Sequence, residues 1–217
     1  MPWPHALLHP VPEELSAAEA ALLEPLGVAL HAWDLGHARI GDTVAIVGAG
    51  PIGLLTVQLA RAGGAAQIIV VEPLEHRRAA ARSFGADAVL SPEEADLRAW
   101  QELTGSGCDL AFEFAGNDPA IAAAFRAARP GARVLLGGIP SNDSSTFQAG
   151  LARRKGLTIL MVRRMKEMYP RAIELASSGR VDLRSLVSRV LPISQADAAF
   201  VSAGTRDGLK VIIDPGA

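Results

Sequence analysis

The hydrophobic and polar positions of the chain alternate between strand and helix patterns, most clearly between residues 43 and 72. Five residues without charge, TVAIV, begin this stretch and are typical of a strand buried on both faces of a parallel sheet. A glycine-rich turn, a helical pattern ended by Gly63-Gly64, and a second apolar run closed by Glu72 follow. The pattern therefore predicts a strand, a helix and a second strand within 30 residues.

The same alternation continues to residue 162. It predicts helices at residues 75–84, 92–103, 119–128 and 147–154, and strands at residues 88–90, 109–114, 132–136 and 157–162. Strands and helices that alternate with short links predict an α/β fold with a doubly wound, parallel, six-stranded sheet. Such a sheet binds its ligand outside the carboxyl ends of its strands.

The segments on either side of this unit have a different character. Four prolines indicate irregular chain over residues 1–12, and the capping-box pair Ser16 and Glu19 predicts a short helix that starts at Ser16. Glu24-Pro25 is expected to interrupt this helix before a second one at residues 26–35. Beyond residue 162 the pattern predicts helices at residues 169–178 and 194–202 and a last strand at residues 209–213 in a separate layer.

The turn GAGPIG after the first strand has the glycine spacing of a dinucleotide site. Gly48 permits a tight turn, Gly50 lets the backbone approach a pyrophosphate, and Gly53 lets the helix pack close to the sheet. Pro51 and Ile52 begin that helix, whose free N–H groups and dipole attract phosphate. The turn therefore predicts a cofactor-binding loop, with a glycine turn of some other α/β protein as the alternative.

Glu72 lies 19 positions after Gly53, where this fold places the carboxylate that holds the adenosine ribose. A carboxylate there accepts hydrogen bonds from both ribose hydroxyls and repels a 2′-phosphate, which favours NAD over NADP. Arg77 and Arg78 complicate this preference, because either guanidinium could pair with a phosphate.

Glycines also follow the fourth and fifth predicted strands, at Ala115-Gly116 and after Leu136 at Gly137-Gly138. A side chain at these positions would obstruct a flat ring or a sugar, so we predict cofactor contacts there. Ordinary loop glycines are the alternative.

Composition restricts the class of protein. The chain has 217 residues, of which 49% are hydrophobic, which is ample for a core, and its net charge of −2 argues against a nucleic-acid or membrane-surface partner. No apolar run approaches the ~20 residues of a membrane span, and the N-terminus lacks a signal pattern, so we expect a cytoplasmic protein. Cys108 is the only cysteine, and we predict a buried, small apolar residue just before the fourth strand.

Seven segments of the chain resemble the zinc-dependent polyol branch of the medium-chain dehydrogenase/reductase superfamily, which includes sorbitol and threonine dehydrogenases. They are LHPVPEELSAAEAALLEPLGVALHAW, VGAGPIG, EPLEHRRAAARSFGAD, FEFAGNDPAI, RPGARVLLGG, VRRMKEMYPRAIELASSGRVDL and LKVIIDP. Their order and spacing cover nearly the whole chain.

The resemblance implies an NAD-dependent oxidoreductase that transfers hydride between a secondary, polyol-like alcohol and NAD, with zinc as the Lewis acid. It also implies that Arg77 stacks on adenine, and that Val162, Arg163 and Arg164 cross the cleft, with Arg163 near the cofactor and Arg164 near the substrate. A homodimer or tetramer through the sheet edge at residues 157–162 is expected as well. From the residues alone, the arginine pair fits a solvated charge cluster equally well.

The resemblance further implies that Glu24 faces the catalytic zinc, as an exchangeable ligand or a partner of metal-bound water. A carboxylate that binds the amides of its own helix start is the alternative. A catalytic zinc needs about three protein ligands, and His5, His9, His37 and His76 lie at positions that favour structural or solvated roles. We therefore expect zinc in the complete family enzyme but not on this chain.

The chain begins immediately before the segment that, in the family, follows a zinc-holding domain of roughly 150 residues. We therefore assign residues 1–27 and 163–217 to the two ends of a catalytic domain, and residues 28–162 to the dinucleotide-binding domain. We expect the two ends to expose apolar surface.

Three functions remain open. The first is the cofactor-binding half of a zinc-type polyol or alcohol dehydrogenase, which binds NAD but turns over little alone. The second is a non-catalytic nucleotide-binding or oligomerisation module, and the third is a zinc-independent reductase of the same superfamily. Glu24, Arg164 and the complete glycine fingerprint favour the first.

Overall fold

The computed structural model describes residues 3–216 and contains a six-stranded parallel sheet in the order β3-β2-β1-β4-β5-β6. The strands are β1 (Thr43–Val47), β2 (Gln67–Val71), β3 (Ala88–Leu90), β4 (Cys108–Glu113), β5 (Ala128–Leu136) and β6 (Thr158–Met161). The chain builds outward from β1 to β3, then returns to place β4 on the other side of β1. The predicted doubly wound sheet is confirmed, and its topological switch point lies between β1 and β4.

Helices cover both faces of the sheet. They are α1 (Ala17–Ala20), α2 (Leu23–Gly36), α3 (Pro51–Ala62), α4 (Glu75–Ser83), α5 (Leu97–Thr104), α6 (Asp118–Ala127), α7 (Ala149–Lys155), α8 (Tyr169–Ser177) and α9 (Ala196–Thr205). Successive residues of β1 point to opposite faces, so Ile46 joins an apolar cluster with α2, α3 and α8, whereas Ala45 joins one with α5, α6 and α7. Two buried layers therefore hold the sheet from both sides.

The helix that leads into the sheet differs from the prediction at Pro25. Ser16 and Glu19 form the predicted capping box at the start of α1. Helix α2, however, begins at Leu23 and contains Pro25 in its first turn, so the predicted interruption at Glu24-Pro25 is wrong. A proline is tolerated there because the first-turn N–H groups have no partner within the helix. The same helix continues through residue 27, where the predicted domain boundary lies.

The predicted fifth helix also starts later than expected. It begins at Leu97 rather than at residue 92, because the Asp96 carboxylate accepts a hydrogen bond from the Ala99 N–H and caps the helix there. Cys108 lies inside β4 rather than before it. The side chain is fully buried, as predicted, and burial raises the pKa of its thiol to about 12.

The C-terminal segment forms a second, two-stranded parallel sheet of β7 (Val187–Pro192) and β8 (Lys210–Asp214). The separate layer was expected, but β7 was not predicted, because its sequence VSRVLP mixes a charge with exposed positions instead of forming an apolar run. Polar contacts attach this segment to the main sheet unit. The Gln58 side chain exchanges two hydrogen bonds with the backbone of Asp182, and Arg171 on α8 pairs with Asp34 on α2.

The predicted exposed apolar surface on the two end segments is confirmed. Its residues are Trp3, Leu7, Leu8 and Val11 near the N-terminus, and Val190, Ile193, Phe200 and Val201 near the C-terminus. Phe200, on α9, is 72% exposed. Within residues 3–216, no helix combines the length and the apolar character that crossing a bilayer requires.

Candidate cofactor-binding site

The carboxyl ends of five strands lie in one row across the sheet. Val47 of β1 is in register with Val71 on one side and with Glu113 on the other, and Glu113 is in register with Leu136, which pairs with Met161. The residues that follow these strands are therefore neighbours at one edge. They are Gly48, Glu72, Phe114, Gly137 and Val162.

Close backbone approach explains two glycines of the first turn. Gly48 has φ +97°, a conformation that side chains disfavour, and a Cβ there would lie 2.9 Å from the amide nitrogen of Ala115. A Cβ on Gly53 would lie far closer than 3.0 Å to the carbonyl oxygen of Gly48. The first turn of α3 is thus pressed directly against the turn that leaves β1.

Gly50 differs from both, because a Cβ built on it meets no atom of the described residues within 4 Å. Gly50 is the N-cap of α3, and Pro51 occupies the first helical position, with Ile52 next to it. The exposed side of this turn therefore offers open space at the amino end of a 12-residue helix. Backbone N–H groups and the helix dipole make that position suitable for a pyrophosphate.

Glu72 lies beside this turn and is only 4% exposed. Its Oε2 accepts a hydrogen bond from the Ala49 N–H at 2.7 Å, and its Oε1 accepts one from the Leu74 N–H at 3.1 Å. A carboxylate has about four lone-pair positions, so each oxygen retains capacity for a further donor. The carboxylate is held in a fixed orientation at the mouth of the cleft.

The two arginines that complicate the cofactor preference have different surroundings. Arg78 donates to the carbonyl oxygens of Glu72 and Pro73 and pairs with Glu75, so it serves the backbone of the turn. Arg77 faces the cleft instead, and its buried Nε has no hydrogen-bond partner within residues 3–216. Burial lowers the pKa of Arg77; Glu72 opposes this and Arg206 adds to it.

The glycines after β4 and β5 interlock. Gly116 has φ +71°, and a Cβ there would lie 2.5 Å from the carbonyl oxygen of Ile139. A Cβ on Gly138 would collide with the backbone of Gly116, and one on Gly137 would lie 2.6 Å from the ring of Phe114 and 3.5 Å from Val162. Each glycine is required by packing between the turns, so the structure accounts for them without a ligand.

Beneath these turns lies Glu113, the last residue of β4, which is 1% exposed. Its Oε1 accepts hydrogen bonds from the N–H groups of Ala115 and Gly116, at 2.7 and 2.6 Å. Its main-chain oxygen accepts two more, from Gly137 at 2.8 Å and Gly138 at 3.0 Å. Burial raises the pKa of Glu113, while the surrounding N–H groups oppose the rise.

A cleft of about 640 Å³ lies along this edge. Predicted residues that line it are Gly48, Gly50, Glu72, Arg77, Ala115 and Gly116. Lining residues that the sequence reasoning did not single out include Asn117, Arg126, Ile139, Ser141 and Arg206. Asn117 precedes α6 and caps it, since its side chain accepts a hydrogen bond from the Ala120 N–H; an asparagine before a helical pattern is a signal that the sequence offered. No local signal marks Arg206, which follows α9.

Glu24, Arg163 and Arg164 lie outside this cleft lining, and all three are exposed. Arg164 has φ +54°, and the next residue, Met165, is buried against Gly27, one turn after Glu24 on α2. The segment after β6 therefore runs along the first half of α2. Burial, followed by the charge of Lys166, lowers the pKa of His31 on the same helix.

A family model described as zinc-binding dehydrogenase matches residues 51–178, which is more than half of the chain. The chain belongs to this family. The resemblance drawn from the sequence motifs is thereby confirmed. The matched region begins at Pro51, so it contains Gly53 and Glu72 and starts just after Gly50.

Curated relatives in the zinc-binding dehydrogenase family carry the names of polyol enzymes. The chain is 32% identical to probable D-xylulose reductase A of Aspergillus clavatus, over 98% of this chain and 61% of that protein. It is 34% identical to sorbitol dehydrogenase of Bacillus subtilis, over 94% of this chain and 59% of that protein. The chain therefore spans about three fifths of the length of these relatives.

A solved structure in this family shows the same architecture. It is described as a zinc-binding dehydrogenase of Sinorhizobium meliloti bound to NADP, and it matches 94% of this chain and 61% of its own with a TM-score of 0.85 and 29% identity. The described part of the present chain, by contrast, contains no group of three or more His, Cys, Asp or Glu side chains placed to hold a metal ion. Its residues therefore fit a dinucleotide and do not by themselves fit zinc.

Proposed function

We propose that this chain binds NAD in the cleft at the carboxyl edge of the sheet, as the cofactor-binding part of a dehydrogenase that acts on a secondary, polyol-like alcohol. The observation that carries the proposal is the combination of open space at Gly50, the amino end of α3 beneath it, and the fixed carboxylate of Glu72 beside it. Family membership and the names of the relatives support the substrate class.

Each part of the cleft has a task in this proposal. The first turn of α3 binds the pyrophosphate through backbone N–H groups, and Glu72 accepts hydrogen bonds from the adenosine ribose. The turns after β4, β5 and β6 receive the nicotinamide half, because a dinucleotide lies across the switch point. The bound nicotinamide would supply the hydride acceptor. Val162, Arg163 and Arg164 are proposed to cross the cleft, with Arg163 near the cofactor and Arg164 near the substrate.

NAD is the proposed cofactor because a buried, oriented carboxylate at the ribose disfavours a 2′-phosphate. Arg77 opposes this preference, since its guanidinium faces the same cleft, and a family member of similar fold is bound to NADP. Calorimetric titration with NADH and with NADPH measures the two affinities and so shows whether Glu72 or Arg77 decides the preference. We expect the wild-type chain to bind NADH about tenfold more tightly than NADPH, a difference in binding free energy of ~1.4 kcal/mol.

The Glu72→Gln variant is expected to bind NADH and NADPH with nearly equal affinity, because it removes the charge and retains the size of the side chain. Glu102→Gln is the matched control, since Glu102 is exposed on α5, outside the cleft lining, and forms an ion pair with Arg98. Tighter NADPH than NADH binding by the wild-type chain would contradict the assignment of NAD.

Substrate turnover is proposed to require more than this chain. Glu24 lies at the start of α2, beside the segment that holds Arg164, but among the described residues it belongs to no group of three or more side chains that could hold a metal ion. With zinc and sorbitol supplied, the purified chain is therefore expected to bind NAD and produce no steady NADH absorbance at 340 nm in a spectrophotometric assay. Steady, sorbitol-dependent NADH production would contradict this part of the proposal.

Two further expectations stay predictions. A homodimer or tetramer is proposed through β6, the edge strand of the sheet, because Thr158 and Met161 are exposed and Met161 is 69% accessible. Among the described strands, β6 pairs only with β5, so its other backbone edge is open, as strand addition requires. A cytoplasmic location also stays a prediction, on the sequence grounds given above.

A further inference from the structure

Glu113 is a buried carboxyl that the proposed cofactor chemistry does not use. It ends β4 at the switch point, in register with Val47 of β1 and Leu136 of β5. Burying such a group costs free energy unless hydrogen bonds compensate it. The hydrogen bonds that Glu113 accepts therefore compensate the cost of burying it, and they tie it to the groups that donate them.

Those hydrogen bonds converge on two turns of the cleft. The side chain of Glu113 accepts hydrogen bonds from the N–H groups of Ala115 and Gly116, and its main-chain oxygen accepts hydrogen bonds from those of Gly137 and Gly138. A Cβ on Gly138 would lie 2.7 Å from Oε2 of Glu113, so the second carboxyl oxygen lies against the turn after β5. The side chain of Glu113 thus holds the turn after β4, and its main-chain oxygen holds the turn after β5.

The two turns also touch each other and the first glycine turn. The backbone of Gly116 lies against Gly138, and Ala115 lies against Gly48. A small displacement of Ala115-Gly116 would therefore shift the floor of the cleft next to β4 and β5. Positioning to within a fraction of an ångström is what a bound ring requires for productive geometry.

We infer that Glu113 is a positioning residue, which fixes the turn Ala115-Gly116, and the Gly137-Gly138 turn packed against it, for the nicotinamide half of the dinucleotide. This inference rests on the proposed function. It assigns the role to the side-chain carboxyl, which touches no cofactor atom itself and acts through the N–H groups that it accepts.

The inference predicts a loss that is confined to one half of the ligand. ADP carries the adenosine and the diphosphate but lacks the nicotinamide riboside, so it probes only the half over β1 and β2. Glu113→Leu keeps the volume but leaves the two N–H groups of Ala115 and Gly116 without an acceptor. By calorimetry, this variant is expected to bind NADH about 30-fold more weakly and ADP within about threefold of wild type.

Two variants separate positioning from general loss of structure. Glu113→Gln retains a carbonyl oxygen for the same N–H groups, so NADH affinity is expected within about threefold of wild type. Val134→Ala removes buried volume from the middle of β5 without touching either turn, so its NADH and ADP affinities are expected to change by the same factor. If Glu113→Leu does not fold, Glu113→Asp, which withdraws the carboxylate from the turns, takes its place with a smaller selective loss.

The outcomes are distinct. Equal loss of NADH and ADP binding in Glu113→Leu, or no rescue by glutamine, would overturn the positioning role and leave the dinucleotide site intact. Binding of neither NADH nor ADP by the wild-type chain would overturn the proposed function and this inference together.

Discussion

Replacing Gly50 with valine is expected to leave the fold intact and to weaken NADH binding by about 100-fold, which corresponds to ~2.7 kcal/mol. Gly50 has φ −70° and ψ −176°, an extended conformation that valine adopts readily and that suits a residue before proline. A Cβ at this position meets no described atom within 4 Å, so a valine side chain is expected to enter the space proposed for the pyrophosphate. Calorimetric titration measures the affinity, and urea denaturation the stability.

The control for this experiment lies at the other end of the same helix. Ala62 is the exposed last residue of α3, so Ala62→Val introduces the same β-branched side chain far from the cleft. It is expected to leave NADH affinity unchanged. An unaltered affinity in Gly50→Val would show that no dinucleotide passes over this turn.

Replacing Gly53 with alanine is expected to act on stability, unlike the Gly50 variant, and to lower the free energy of unfolding by about 1–3 kcal/mol. The added Cβ would lie well under 3.0 Å from the carbonyl oxygen of Gly48 and 3.6 Å from the side chain of Ile46. Backbone atoms cannot move aside as a flexible side chain does. The helix must therefore shift away from the turn, and urea denaturation detects the cost.

Gly204→Ala provides the matched comparison, because it is the same substitution in helix α9 with no described atom within 4 Å of the new Cβ. There the change is expected to stabilise by about 0.4–1 kcal/mol through the unfolded chain. A Gly53→Ala variant as stable as wild type would contradict the close contact between α3 and the β1 turn.

The parts of the fold that the sequence predicted well are those with strong local signals. Buried strands of the main sheet are apolar runs, and Gly53 packs against the carbonyl of Gly48, only five residues earlier in the chain. The interruption at Pro25 was wrong because proline breaks the interior of a helix but is accepted in its first turn. Strand β7 was missed because its pairing with β8 is decided by a partner far along the chain.

Long-range contacts also explain what the sequence did not show of the candidate site. Glu113 carries the same signal as Glu72, an acid at the end of an apolar run, but its role depends on turns contributed by β4 and β5 together. Arg206 reaches the cleft through the C-terminal segment, to which Arg77 also donates at the Gly208 carbonyl. Neither contact follows from periodicity or spacing.

The exposed apolar surface of the end segments supports the proposal that this chain binds the cofactor while another unit holds the zinc. Phe200 and Val201 on α9, together with Leu7 and Leu8 near the N-terminus, are at least 60% exposed. Apolar side chains grouped on such segments mark surfaces that another unit covers. The relatives are longer than this chain, so a zinc-holding unit of that family type is the proposed occupant.

We propose that the carboxyl edge between β1 and β4 holds NAD. A crystal structure of the chain grown with NAD is the decisive test. We expect the pyrophosphate to lie against Gly50 and the first turn of α3, the adenosine ribose hydroxyls to lie within about 3 Å of Glu72, and the nicotinamide to lie over the turns after β4 and β5. NAD bound elsewhere on the chain, or bound here with its ribose turned away from Glu72, would contradict the proposal.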